Sequence, residues 1–154
     1  MPGRTLATAR LDDLLATRLA VAGRLLRAQA DAGLSHLGVG AQSLGTLLRL
    51  AEDDGLTQAE LSRRQRVEAP TMCRMIDRLE RDGLVERRAD PADRRATRVS
   101  LSPEGREVAA RGAAVVDALE RRAFEGLDRD ERRRLGELLG RVLDGLGTEG
   151  APPS

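Results

Sequence analysis

The stretch "DGLVERRADPADRRATRVSLSPEG", Asp82 to Gly105, decides the fold. Its opening Asp-Gly closes a helix, because Gly83 can take the left-handed conformation that most residues resist after a last helical turn. "LVERR" and "TRVSL" alternate apolar and polar residues as strands do, and Asp90-Pro91 between them is turn chemistry. A hairpin with about three to five residues in each arm follows. "SPEG" then restarts a helix, since Ser102 can cap it and Pro103 is tolerated at its first position. The hairpin tip carries two adjacent arginines, Arg94 and Arg95.

Working outward, "TQAE" from Thr57 to Glu60 has the spacing of a capping box and begins a short helix. That helix breaks around "RQRVEA", after which Pro70 sits where a first turn accepts it. Met72, Met75, Ile76 and Leu79 share one face of the next helix, which ends at Gly83. Toward the N-terminus, Leu11, Leu14, Leu15, Leu19, Ala22, Leu25 and Leu26 recur at three- and four-residue spacing, describing one long amphipathic helix that ends before Gly33. Leu44, Leu47, Leu48 and Ala51 mark a second helix stopping at "EDDG". After the hairpin, Val108, Gly112, Val115, Val116 and Leu119 keep an apolar face. A last helix opens at Asp128, with Glu131 three residues on, and is expected to bury Leu135, Leu138, Leu139, Val142 and Leu143. The tail, residues 148–154, reads as disordered.

At 154 residues, with 40% hydrophobic and 33% charged residues, the chain is expected to be one soluble, mainly α domain with a small β-hairpin wing. No apolar run approaches the roughly 18 residues of a membrane span, and the N-terminus lacks a signal-like apolar segment, so no membrane partner and a cytoplasmic location are expected. The net charge is +1, so any anion-binding surface must come from local arrangement. All 26 basic residues are arginine; codon bias explains this most simply, although the guanidinium fork suits phosphates and guanines. One cysteine, Cys73, and one histidine, His36, cannot build an intrachain disulfide or a zinc site. No catalytic triad, phosphate-binding glycine loop or distinctive carboxylate pair appears, so neither an enzyme nor a cofactor is expected.

Helix, short helix, turn, helix and charged hairpin is the order of a winged helix-turn-helix, in which the second short helix enters the DNA major groove. Alone, "DRR" reads as a solvated turn. Placed behind that helix pair, it reads as a wing whose guanidinium groups can sense minor-groove width and potential. A competing reading is a winged-helix protein-protein interaction module that uses the same surface without specific DNA binding. Independently, amphipathic helices at both chain ends leave apolar stripes that one small domain cannot cover, so a second copy is expected.

The segment "LTQAELSRRQRVEAPTMCRMIDRLERDGLVERRADPADRRATRVSLSPEG", Leu56 to Gly105, resembles the DNA-binding core of the MarR family of bacterial transcriptional regulators. The resemblance implies a winged helix-turn-helix over residues 43–102, flanked by dimerisation helices over 6–32 and 103–147. It implies a homodimer on pseudo-palindromic double-stranded DNA, with recognition helices about 34 Å apart, acting as a repressor of nearby genes relieved by a small-molecule effector. Recognition helix 68–82 would lie in the major groove. Pro70 and Thr71 would lead it, Cys73 would fill space or face bases, and Arg74 would bond a guanine or a phosphate. Arg78 would meet the DNA backbone or Asp82. In the wing, 89–96, Arg95 would enter the minor groove, with Asp93 and Arg94 supporting the tip through ion pairing or phosphate contact. Thr57 and Gln58 would meet phosphate. Taken alone, His36 reads as a structural or solvent-exposed residue; the alternative is a place in an effector pocket between the first two helices and the dimer helices, although the scarcity of aromatic residues removes the stacking surfaces that hold phenolic ligands. Where the family commonly has Leu-Gly-Val-Ser, this chain has "QRVE": Gln65 for an apolar residue, Arg66 for a glycine, Glu68 for a capping serine. These departures imply a lowered affinity or a shifted sequence preference.

Overall fold

Leu47, Leu50, Leu61, Met72, Ile76 and Leu79 are each at most 1% exposed, and the helical spacing that lines them up gathers them into one core. The computed structural model describes residues 10–148; the start of the expected first helix and nearly all of the expected tail lie outside the described residues. A 3-10 turn, Leu11–Asp13, leads into helix α1, Leu15–Leu34. A second such turn, Ser35–Leu37, leads into α2, Ala41–Glu52. Then follow β1, Leu56–Thr57, α3, Gln58–Gln65, and α4, Ala69–Arg81. Strands β2, Val85–Ala89, and β3, Thr97–Leu101, precede α5, Pro103–Ala123, and α6, Arg129–Thr148. Two compact units divide after Leu119: the first holds everything up to that point in α5, and the second holds α6.

The boundaries that rest on local chemistry fall where the residues put them. Thr57 and Glu60 form a reciprocal capping box at α3. Asp128 and Glu131 do the same at α6, each accepting the other's amide at 2.9 Å. At the end of α4, Gly83 takes φ 74°. Its amide donates to the Glu80 carbonyl at 3.0 Å and that of Leu84 to the Leu79 carbonyl at 2.9 Å, the bond pair of a Schellman termination. The Ser102 hydroxyl accepts from the Gly105 amide at 2.9 Å and donates to the Gly83 carbonyl at 2.6 Å. Gly105 is required there, because a Cβ on it would collide with the carbonyl oxygen of Leu84.

Three features depart from expectation. Helix α1 does not end before Gly33 but continues to Leu34; glycine serves close packing instead, since a Cβ at 33 would come within 2.8 Å of Val115 Cγ1. A third strand, β1, pairs antiparallel with β3, giving the order β1-β3-β2, with Leu56 opposite Val99 and turned into the core. In α6, Leu138, Val142 and Leu143, expected to be buried, are 40%, 43% and 48% exposed, while Leu135 and Leu139 are half-buried. An amphipathic stripe becomes interior only when a surface covers it, and one chain leaves this one open.

The helix-turn-helix departures have local answers. Arg66 adopts φ 53°, ψ 44°, the left-handed conformation that glycine would take. The Val67 amide donates to the Ser62 carbonyl at 3.0 Å, closing α3. The Gln65 amide nitrogen donates to Thr46 Oγ1 at 2.8 Å, and that hydroxyl donates to Met75 Sδ at 2.9 Å. Thr46 is fully buried, so this chain satisfies a polar group in the core and joins α2, α3 and α4.

Two substitutions should move stability in opposite directions. Gly105→Ala should lower it by about 2 kcal/mol or more, because the collision is with backbone. Arg66→Gly should raise it by about 1 kcal/mol by removing left-handed strain. Thermal or denaturant unfolding checks both.

Candidate nucleic-acid interface

The apolar face of α4 is consumed by the core, which leaves Pro70, Arg74 and Arg78 exposed at four-residue intervals along its other side. Thr71 and Cys73 are half-buried. Arg74 Nη2 donates to Thr71 Oγ1 at 3.3 Å, so it rests over the first turn. Arg78 reaches Asp82 at 3.8 Å, the i+4 neighbour expected from the sequence. Cys73 Sγ lies 3.9 Å from Asp77 Oδ2. Glu68 is the N-cap of α4 and is exposed, and its side chain makes no capping hydrogen bond.

Asp77 and Glu80 would oppose an anion on this side of α4. Arg87, from β2, answers both: Nη2 donates to Asp77 Oδ1 and Nη1 to Glu80 Oε2, each at 2.6 Å. Burial works against the Arg87 charge, but the hydrogen bonds to Asp77 and Glu80 outweigh it and raise its pKa above the ordinary value. One guanidinium thus pairs with both carboxylates, offsetting one of their two charges, and ties the hairpin to the helix.

At the start of α3 the Thr57 amide and hydroxyl both donate to Glu60 Oε2, at 2.8 Å and 2.9 Å. The Glu60 carboxyl is held below its usual range, first by the Thr57 backbone bond and then by its side chain. Thr57 is therefore spent on the cap, and Gln58 beside it is half-buried as well.

The wing is a loop built on aspartates. The Asp90 amide donates to the Ala96 carbonyl at 2.9 Å, closing the base of the loop. Asp90 Oδ1 accepts from the Ala92 amide and Asp93 Oδ1 from the Arg95 amide, both at 2.9 Å, the bonds of two Asx-turns. Arg94 and Arg95 stand exposed at the tip. Asp93 thus supports the tip through the backbone amide of Arg95. The Asp90 carboxyl is held below its ordinary range by the Ala92 backbone bond first, with Arg98 adding to it.

The sequence marks Asp90 as a turn residue only, and gives Arg87 and Arg98 no role. Asp90 had a signal in the Asp-Pro-Ala-Asp turn, whereas Arg87 and Arg98 act through partners distant in sequence. His36 lies exposed in the turn Ser35–Leu37. Among the described residues no group of three or more His, Cys, Asp or Glu side chains could hold a metal ion, and no helix is long and apolar enough to cross a membrane.

Two short helices with a tight turn, followed by a hairpin tied back to the second of them, define a winged helix-turn-helix. Comparison with known proteins takes this further. The MarR family model matches residues 37–96. An HTH-type transcriptional repressor of Mycobacterium tuberculosis is 32% identical over 127 residues, spanning 82% of this chain and 88% of that protein. The crystal structure of a MarR-family transcriptional regulator from Silicibacter pomeroyi is 30% identical, covers 92% of this chain and 96% of that one, and superposes with a TM-score of 0.79. An E. coli MarR mutant complexed with operator DNA shares the fold at 24% identity, with a TM-score of 0.80 over 88% of this chain and 99% of that one. The chain belongs to the MarR family of transcriptional regulators.

Because folding lowers the Glu60 and Asp90 pKa values, each group contributes stability that is complete above the ordinary carboxylate range and lost as pH falls through its lowered folded value. Acidification should therefore release the Ala92 amide of the wing and the Thr57 amide of the cap. Amide exchange measured from neutral to acidic pH, corrected for the intrinsic rate, checks this; unchanged protection below the carboxylate range would contradict it.

Proposed function

We propose that the chain is a cytoplasmic, homodimeric repressor that binds a pseudo-palindromic operator and is released by a small-molecule effector. It works by binding and carries out no catalysis. The observation that carries this reading is that the exposed arginines of α4 and of the wing belong to elements tied together by Arg87, which also offsets part of the acidic charge of Asp77 and Glu80 on α4. Recognition helix 68–82 enters the major groove with Pro70 and Thr71 leading, Cys73 behind them, and Arg74 bonding a guanine or a phosphate. Arg78 follows the backbone. Arg95 enters the adjacent minor groove, with Arg94 beside it and Asp93 holding the tip. Gln58, at the start of α3, meets phosphate with Thr57 fixing that helix end. Glu68 brings a negative charge to the leading end, lowering affinity or shifting base preference.

The dimer reading is supported by apolar side chains left open on a single chain. On α1, Leu15, Leu19 and Leu25 are 82%, 42% and 48% exposed, and on α6 the exposed row extends to Leu146. A second copy covering these rows gives the two-fold symmetry that a palindromic operator mirrors. Effector binding near His36 would act by favouring a half-site spacing that no longer matches the groove repeat.

Fluorescence anisotropy with duplexes from the chain's own upstream region tests the reading. Affinity should fall steeply between low and moderate salt, with operator preference surviving competitor DNA. Arg74→Ala should cost about 1 to 3 kcal/mol at a defined base pair, and Arg95→Ala should weaken binding and change the preference for A·T pairs flanking the major-groove contacts. Salt-independent binding without duplex preference would instead indicate a protein-binding module.

A further inference from the structure

Taking the DNA-binding reading above as its basis, we propose that Asp90 and Arg98 form a brace that positions the wing for the minor groove, without either residue touching DNA. Asp90 is only 6% exposed, an unfavourable place for a carboxylate unless each oxygen has a donor. Both do: Oδ1 takes the Ala92 amide, and Oδ2 takes Arg98 Nε at 2.8 Å. The same guanidinium extends in the other direction, where Arg98 Nη1 donates to the carbonyl of Gly55 at 2.8 Å.

These two bonds span the sheet. Arg98 lies on the central strand, opposite Thr57 of β1 on one side and Arg88 of β2 on the other. Two arginines directly opposite each other repel. Here Arg88 turns to Glu86 at 2.8 Å and Arg98 to Asp90, so each charge is answered along its own side. Gly55 stands two residues before the N-cap of α3, and Asp90 is the first residue of the wing loop. One side chain therefore couples the start of α3 to the base of the loop that carries Arg95.

The tip is already closed on itself by the Asp90–Ala96 backbone bond and the Asp93 turn. Its remaining freedom is to swing as a unit on the ends of β2 and β3. A brace at Asp90 removes that freedom before DNA arrives, so the ordering cost is met in folding rather than in binding.

Arg98→Met, Arg98→Lys, Asp90→Asn and the double variant Asp90→Asn with Arg98→Met test the assignment. Each is also placed in an Arg95→Ala background, and the readouts are operator affinity across salt concentrations and amide exchange at Ala92 and Ala96. Each single variant should lower affinity about three- to tenfold, with the slope against salt unchanged because no phosphate contact is lost. The double variant should bind no worse than the singles, as coupled partners do. Arg98→Lys should not rescue, since an ammonium cannot span both acceptors in the fork geometry. With Arg95 removed, the penalty should disappear, which a general loss of stability would not produce.

The brace is refuted if Arg98→Met lowers the salt slope by about 0.9 while Asp90→Asn binds normally, or if Lys restores affinity, because Arg98 would then be a phosphate contact. Additive singles, or a penalty that persists without Arg95, also overturn it. Should the unaltered protein lack salt-dependent duplex preference, the DNA-binding reading itself falls and the brace with it; failure confined to the variants removes the brace alone.

Discussion

The winged helix-turn-helix depends on one backbone junction. At Gly83 and Leu84 helix α4 stops, the first arm of the hairpin starts, and the return arm comes back to meet them. Ser102 holds this point with three bonds: its hydroxyl to the Gly83 carbonyl, its amide to the Leu84 carbonyl, and its oxygen accepting from Gly105. Gly105 lets the first turn of α5 lie against the Leu84 carbonyl at a distance no side chain allows. Helix α4, both arms of the wing and the start of α5 thus leave from one fixed point. Helix α5 is joined to α4 and the hairpin by these bonds and by Val108 and Ala109, which share the core with the apolar face of α4.

Much of the fold could be read from the chain because its signals are local. Thr57 with Glu60, Asp128 with Glu131, Ser102 with Pro103 and the glycine at 83 each announce an element end within four residues. What escaped reading depends on distant partners. Strand β1 is two residues long, too short to show alternation, and exists because β3 offers it a free edge. Gly33 resembles a stop signal, yet the helix continues because Val115 packs against the bare Cα. The leucines of α6 have the spacing of buried residues but stay open in one chain, because periodicity marks a face without stating what covers it.

The candidate site divides the same way. Arg74, Arg78, Arg94 and Arg95 are exposed, as their positions on a helix face and a turn tip foretell. Of the side chains that hold those elements in place, Asp90 showed only as a turn residue, while Arg87 and Arg98 looked like ordinary surface charge. The partners of these two arginines are separated from them by between seven and 43 residues, so no short-range pattern distinguishes them. Gln65 is intermediate: its polarity at an apolar position was visible, but the buried Thr46 hydroxyl that accounts for it was not.

The fork that Arg87 makes with Asp77 and Glu80 separates two properties that usually change together. Part of the charge on the exposed side of α4 is offset from a neighbouring strand, by a side chain that pairs with Asp77 and Glu80. A change at position 87 would therefore uncover two carboxylates on α4 while leaving every residue of that helix untouched.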